Sequence, residues 1–430
     1  MKRLSPFISI FAICLITFIL WILSKQNPAT IFEQPLRSLS QILALLGTVL
    51  MSLIVLLSTR LKWIEKLFNG LDKAYGVHQF LGIISFLFIL HHPILLAIQS
   101  LPQAKMASLY LFPSSDVAYS FGIFGLYSMV MSFIFMVFIK LPYNIWKLSH
   151  KLLSLAFLLG GIHSLLINSD VSNYLPLRLW ITGFIALGLI SIAYKLFLYP
   201  IFGPKYNYQV AKIERAIDVV NIYMRTKTLK KIDFKPGQFV YVNFSNKITG
   251  RESHPFSIAS GPDDELLKLS AKIVGDYTLK LTQLKEGDNA MIYGPYGEFT
   301  MNGFNSKNCL WIAGGIGVTP FLSMLSSETR KCSNNLVCFY YTYGKREEGL
   351  FVDEINSLVT RTPNVRFYDW CSKEKKRLDL KEIMNRINMH VLDAVFMCGP
   401  APMMEGFKKQ LILAGIPEQK IIYENFSYLT

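Results

Sequence analysis

The sequence predicts a chain in two parts. Residues 1–204 read as an α-helical membrane bundle of six spans; residues 205–430 read as an antiparallel β-barrel domain (205–303) followed by an α/β doubly wound domain (304–430). Three observations carry this. The 430 residues are 52% hydrophobic and only 17% charged, with a mean hydropathy of +0.34, which is too apolar for an ordinary soluble chain. Charge is unevenly divided, with 14 Lys/Arg and 5 Asp/Glu in residues 1–204 against 30 and 24 in residues 205–430. Long apolar runs also give way near residue 205 to short alternating ones, the change from membrane helices to half-buried strands.

A membrane helix needs about 20 apolar residues, and six runs come close: about 7–23, 38–59, 78–99, 119–139, 150–168 and 178–199. The first follows Met1, Lys2 and Arg3 as a signal peptide would, but no small-residue cleavage site follows Trp21, so it is read as a span. Lys2 and Arg3, then Arg60, Lys62, Lys66 and Lys73, then Lys140, Lys147 and Lys151 fall on one side of the bilayer. Only Lys25, Arg37, Lys105 and Arg178 fall on the other, so both termini are expected in the cytoplasm of a multi-pass cell-membrane protein. Pro200, Gly203 and Pro204 are expected to break the sixth helix. The net charge of +15 is explained by these loops and by anionic lipid, without nucleic acid. Six cysteines, five of them in the second half, form no CxxC pair and no disulfide framework, which suits a reducing cytosol.

Five of seven histidines lie in or beside two apolar runs: His78, His91 and His92 in the third, His150 and His163 in the fifth. Ionisable groups at membrane depth are functional candidates. His78 and His92 are 14 residues apart, which returns to within about 40° of the same helix face after a rise of about 21 Å. With His150 and His163 opposite, they make two bis-histidine sites, the arrangement two b-type haems require. His78 with His150 is expected at the inner level and His92 with His163 at the outer. His91 competes with His92, and His150 and His163 lie about 140° apart on an ideal helix, so the fifth span is expected to be irregular or its rings to reach around it. Arg37, Arg60 and Lys147 are candidate partners for haem propionates.

After residue 205, YNYQVAKIE, VVNIYM and QFVYVNF read as barrel strands. RESHPFSIAS, GDYT and GPYG follow, the last expected as a tight turn. Residues 309–313 form a short apolar strand leading into Gly314, Gly315, Ile316, Gly317, Val318, Thr319 and Pro320 and then a helical run. Such glycines let a backbone approach a pyrophosphate, with Thr319 able to cap and Pro320 preset for the first helical turn. Strand 336–343 ends in Gly344, Lys345 and Arg346, and strand 394–397 ends in Cys398, Gly399 and Pro400. Special residues at the carboxyl ends of alternating strands describe a doubly wound nucleotide site. Lys345 and Arg346 have the charge to take a 2′-phosphate, which favours NADPH while leaving NADH possible.

The soluble half resembles the ferredoxin-NADP reductase superfamily. Joined to paired membrane histidines, HPFS, GPYG, GGIGVTP, CGP and a terminal ENFS are similar to the NADPH oxidase and ferric reductase family. The resemblance implies a cytosolic reductase with a β-barrel FAD domain, and electron flow from NAD(P)H through FAD and two haems across the membrane. It implies that His254, Pro255, Phe256 and Ser257 line the flavin, His254 standing where soluble relatives have Arg. It places Gly275, Tyr277 and Thr278 at the FAD pyrophosphate, with Thr278 as a hydroxyl donor, and Gly294 in the same cofactor site. Gly315, Gly317, Thr319 and Pro320 would meet the nicotinamide nucleotide, and Cys398, Gly399 and Pro400 would lie by the nicotinamide. Phe426 would cover the flavin, although four residues follow it.

Flavin would be the needed converter, since a hydride carries two electrons and a haem takes one. The external acceptor is expected to be small, oxygen giving superoxide or a ferric chelate giving ferrous iron, because the exterior loops leave little material for recognising a larger one. No added regulatory domain is visible, so no obligatory cytosolic regulator is expected. Two other readings are a haem-containing reductase feeding a membrane or periplasmic protein partner, and a transporter or channel with a nucleotide-sensing cytoplasmic domain. The second leaves the histidine ladder unexplained.

Overall fold

The computed structural model describes residues 6–139, 141, 143–246, 248–250, 252–301, 308–331 and 336–424. Contacts divide the chain into two compact units, residues 1–68 with 74–201 and residues 202–430 with 69–73.

In the first unit, six helices are long and apolar enough to cross a membrane: Pro6–Leu23, Pro35–Leu57, Leu71–Gln99, Val117–Val137, Ile145–Leu166 and Leu175–Phe202. They match the six apolar runs and are called the first to sixth spans below. Their ends follow local chemistry. A proline occupies the first turn of the second and sixth spans, where a missing N–H costs nothing, and the Asp116 carboxylate caps the fourth by accepting from the amides of Ala118 and Tyr119. Pro200 does not break the sixth span. A π-helical turn, Tyr194–Leu198, precedes it, and helix continues over Tyr199–Phe202. The wider turn gives the proline ring the room that a regular α-turn denies it.

Small residues bring the spans together, as expected where lipid removes the hydrophobic drive between helices. A Cβ on Gly125 of the fourth span would lie 3.2 Å from the Ala156 carbonyl oxygen and 3.3 Å from the Gly160 nitrogen of the fifth. Polar side chains add specific ties. Trp180 Nε1 donates to Thr17 Oγ1 at 2.9 Å, and Lys25 Nζ reaches both Gln41 Oε1 at 2.7 Å and Asp170 Oδ2 at 2.6 Å. On the third span Phe80, Ile83, Leu87, Ile94 and Ile98 form an exposed stripe at helical spacing, the face such a helix offers to lipid.

The second unit holds two sheets. The first is six-stranded and antiparallel, in the order β4-β3-β6-β1-β2-β5, built from β1 Lys205–Ala216, β2 Val219–Thr226, β3 Phe239–Phe244, β4 His254–Ser257, β5 Leu267–Lys272 and β6 Asn289–Tyr296. Its core includes Tyr208, Val220, Ile222, Val240, Val242, Leu269 and Ile292, inward residues of alternating strands. GPYG reads as a turn in the sequence, yet Gly294, Pro295 and Tyr296 end β6 and lie beside β3. Gly294 is tolerated there at φ +141°, a conformation open to glycine.

The second sheet is parallel, in the order β11-β10-β7-β8-β9, from β7 Asn308–Gly314, β8 Leu336–Tyr343, β9 Val365–Cys371, β10 Ala394–Cys398 and β11 Ile421–Tyr423. Its strands are near-continuous apolar runs because helices cover both faces. The order of strand addition reverses between β7 and β10, which lie side by side and parallel, and this is the topological switch point at which such sheets bind ligands. The two sheets are pinned by Lys268 on β5, whose ammonium reaches both oxygens of Glu354 at 2.7 and 2.6 Å, and by Ser323 Oγ donating to the Ser260 carbonyl at 2.7 Å.

Candidate functional site

The histidines meet in two pairs. Ring centres of His78 and His150 lie 6.1 Å apart, and those of His92 and His163 lie 6.4 Å apart. Two metal–nitrogen bonds of about 2 Å each, plus about 1 Å from each nitrogen to its ring centre, give about 6 Å for two imidazoles on one iron. Each ring is also oriented by its other nitrogen. Nδ1 of His78 lies 2.8 Å from the Ile54 carbonyl oxygen, that of His92 3.1 Å from the Ser40 carbonyl and 2.8 Å from Ser40 Oγ, and that of His163 2.8 Å from the Ala118 carbonyl. His150 Nδ1 faces Met136 Sδ at 2.9 Å. With Nδ1 so engaged, Nε2 is the nitrogen left for a metal. Among the described residues no group of three or more His, Cys, Asp or Glu side chains gathers around a common point. Paired axial ligands therefore fit a group that brings its own equatorial four, as haem does.

His91 stands elsewhere. It is exposed, falls on the lipid-facing stripe between Leu87 and Ile94, and its Nδ1 turns back to the Leu87 carbonyl at 2.7 Å. The fifth span is helical through Tyr143–Leu166, not irregular; His150 and His163 instead lean on opposite ends of the fourth span, through Met136 and Ala118. His92 and His163 line a cavity of about 240 Å³ that also touches Arg37, Gln41, Gly122 and Asp170. At the other pair, Arg60 Nε donates to Tyr75 Oη at 3.0 Å, and the Tyr75 ring stands edge-on to His78.

In the second unit, His254 opens β4 beside β3. Its Nε2 lies 3.0 Å from Glu252 Oε2, and its ring stacks on Tyr277 with centres 3.6 Å apart. Among the described residues the buried Tyr277 hydroxyl has no hydrogen-bond partner, an expense that a bound polar ligand would remove. Gly275 has open space where a Cβ would stand. The Thr278 hydroxyl is occupied by its own turn, accepting from the amides of Val274 and Gly275 at 2.9 and 3.0 Å.

At the switch point the loops after β7 and β10 touch backbone to backbone. A Cβ on Gly317 would lie 2.5 Å from the Cys398 carbonyl, and one on Gly399 would lie 3.0 Å from Gly314 Cα. Gly315 adopts φ +53° with open space beside it. The sequence predicts Thr319 as the cap of the helix Thr319–Lys331; its Oγ1 instead donates to the Ile316 carbonyl at 3.1 Å, because a 3₁₀ turn, Gly315–Val318, runs directly into that helix. Cys398 is buried, and burial, then the Glu424 carboxylate, push its thiol far above the ordinary value. Beyond β8, Arg346 is already engaged: one guanidinium nitrogen donates to Tyr343 Oη at 2.7 Å and to the Asp369 carboxylate.

Three family models match successive parts of the chain: a ferric reductase like transmembrane component at residues 43–161, an FAD-binding domain at 205–300 and an oxidoreductase NAD-binding domain at 311–409. A superoxide-generating NADPH oxidase heavy chain of Dictyostelium discoideum is 38% identical over 113 residues, 22% of this chain and 16% of that protein. The chain thus joins a ferric reductase like transmembrane component to FAD- and NAD-binding oxidoreductase domains, the fused architecture of the ferric reductase and NADPH oxidase type. Flavohemoprotein A of the same organism is 24% identical over 51% of the chain and 59% of its own length. The chain spans less than two thirds of this and the other leading curated relatives. A flavohemoglobin structure from Malassezia yamatoensis, with bound FAD and heme, superposes at TM-score 0.52 and 19% identity, covering 91% of this chain and 97% of that one; the likeness is one of fold.

The membrane component and both oxidoreductase domains lie in one polypeptide. Several residues with a part in these sites carry no motif in the sequence. Ser40 and Met136 are found only through the rings they touch, and Asp369 only through Arg346. Glu424 stands within ENFS, so a signal for it is present in the sequence. Phe426 lies outside the described residues.

Proposed function

We propose that this chain is a transmembrane oxidoreductase of the cell membrane, with both termini cytoplasmic, that moves electrons from cytosolic NADPH to a small acceptor outside. The acceptor is oxygen, giving superoxide, or chelated ferric iron, giving ferrous iron. One NADPH releases a proton and two electrons as NADP⁺ forms, so two acceptors are reduced per nucleotide. The observation that carries the proposal is the pair of facing imidazoles at 6.1 and 6.4 Å. FAD and two b-type haems, when bound, supply the conversion from hydride to single electrons and their conduction.

The chain's own residues bind and orient. His78 and His150 would hold the inner iron, His92 and His163 the outer. With two histidines assigned to each iron, the haems would serve to conduct electrons, and these residues would leave no place for the acceptor to bind as a ligand. His254, Pro255, Phe256, Ser257, Gly275, Tyr277, Thr278 and Gly294 would receive FAD. Gly315, Gly317, Thr319 and Pro320 would receive the dinucleotide, with Cys398, Gly399 and Pro400 beside the nicotinamide. The buried Cys398 thiol keeps its proton and so presents no charge there. Lys345 and Arg346 favour the 2′-phosphate.

A reduced-minus-oxidised spectrum of purified, haem-replete protein tests this. NADPH should raise b-type bands, and their absence defeats the proposal. In vesicles with the soluble unit outward, external NADPH should reduce trapped cytochrome c or ferrozine-bound iron inside. Reduction confined to the NADPH side excludes transmembrane transfer, and a requirement for an added protein partner replaces the small acceptor.

A further inference from the structure

Three of the four paired histidines rest Nδ1 on a backbone carbonyl oxygen, at 2.8 Å for His78, 3.1 Å for His92 and 2.8 Å for His163. His150 alone rests it on a thioether, Met136 Sδ, at 2.9 Å. The two acceptors differ chemically. An amide carbonyl carries substantial negative charge, whereas a thioether sulfur is a weak acceptor. A strong acceptor on the Nδ1 hydrogen pushes electron density through the ring to Nε2 and makes the ligand more basic. A more basic axial ligand stabilises the ferric state over the ferrous and lowers the reduction potential.

We propose that Met136 is a positioning residue for His150 and that its weak acceptance holds the potential of the His78–His150 centre above what a carbonyl partner would give. The inference rests on the two-haem reading above. Met136 and Trp146 together fix the ring: Trp146, one turn before His150 on the same helix, stacks on it with centres 5.4 Å apart and planes 23° apart. The thioether approaches the ring's edge while the indole covers its face, so the plane of His150 is set without any main-chain bond. His78 and His163 rest Nδ1 on helix backbone, and His92 has the Ser40 carbonyl at 3.1 Å as well as the Ser40 hydroxyl at 2.8 Å. Of the four paired histidines, His150 is the one whose described Nδ1 contact is a side chain with no main-chain carbonyl beside it.

The test uses full-length, haem-replete protein in detergent, with optical redox titration and the low-spin electron paramagnetic resonance signals as readouts. Met136→Gln offers a side-chain carbonyl at similar reach and should shift one of the two midpoints downward while leaving the other in place. Met136→Leu keeps the bulk and removes the acceptor; it should alter the low-spin signal of that same haem or lower its occupancy. Repeating both in a His92→Leu background, where only the inner centre should remain, assigns the shift. A downward shift confined to one haem in Met136→Gln supports the inference, and an upward shift of that haem overturns it. Two unchanged midpoints with unchanged signals in both variants overturn it, as do equal shifts of both haems. Absence of b-type bands in the unsubstituted protein defeats the function reading itself and is separately visible.

Discussion

Gly122 and His163 are in such close contact that no other residue type fits: a Cβ on Gly122 would lie 2.8 Å from Nδ1 of His163 and 3.0 Å from its Cγ. The imidazole therefore lies directly on the backbone of the fourth span, where its Nδ1 reaches the Ala118 carbonyl. Gly122→Ala should tilt or expel the ring and empty the outer haem site. Haem content by pyridine haemochrome should fall from two towards one per chain, with flavin still reducible by NADPH. Gly183→Ala, where a Cβ meets nothing within 4 Å, should retain both.

The Tyr277 hydroxyl, without a partner among the described residues, leads to a second expectation. An unsatisfied buried polar group costs about 1–3 kcal/mol, so Tyr277→Phe should leave the flavin-free protein no less stable. If FAD supplies the missing partner, the same change should weaken FAD binding about tenfold. Thermal midpoints with and without added FAD, and fluorescence titration, measure both halves. Unchanged FAD affinity would remove Tyr277 from the site.

A third prediction concerns nucleotide choice. Asp369 holds one guanidinium nitrogen of Arg346 and competes with a 2′-phosphate for its charge. Asp369→Asn should release it and raise the NADPH-to-NADH ratio of kcat/KM by about fivefold or less, because the pair is solvent-exposed and screened. Arg346→Ala should lower that ratio. Equal ratios in both variants and the parent would assign the discrimination to other residues.

Cys398 gives a prediction in pH. Its folded-state value is raised from 9.0 by burial and by Glu424, so above pH 9 the unfolded chain releases a proton that the folded chain retains. Stability therefore falls as pH rises past the unfolded value, by up to about 1.4 kcal/mol per pH unit. Cys398→Ser does not titrate there and should flatten the fall. Thermal midpoints of the two proteins from pH 8 to 10 should diverge; parallel curves would contradict it.

Much of this can be read from residue order. Periodicity brings His78 and His92 to one face, and the strand-glycine-helix pattern locates the switch point at Gly314 and Cys398. What escapes is decided by contacts between residues distant in sequence. The 140° between His150 and His163 looks like a defect until the fourth span, approaching closely at Gly125, gives each ring a separate anchor. Ser40 reaches His92 across 52 positions, and no local pattern marks a lone serine in an apolar run. GPYG contains turn-forming residues, but its neighbours Asn289–Ile292 pair with β1 and draw it into the sheet. Thr319 departs from its expected role because a 3₁₀ turn leaves it no free amide to cap.

Both histidine pairs bridge the same two helices, the third and fifth spans, at points about 21 Å apart along the axis. Two irons so held would act as rungs of a ladder. One rung would still let the helices pivot; two forbid pivoting and sliding alike, since a slip of one residue, about 1.5 Å, would break both at once. Filling the sites would thus lock the register of the bundle, and the binding energy of each haem would count towards assembly of the membrane unit. Loss of one haem should then loosen the grip on the other, so that a chain short of haem during synthesis would be structurally as well as catalytically incomplete.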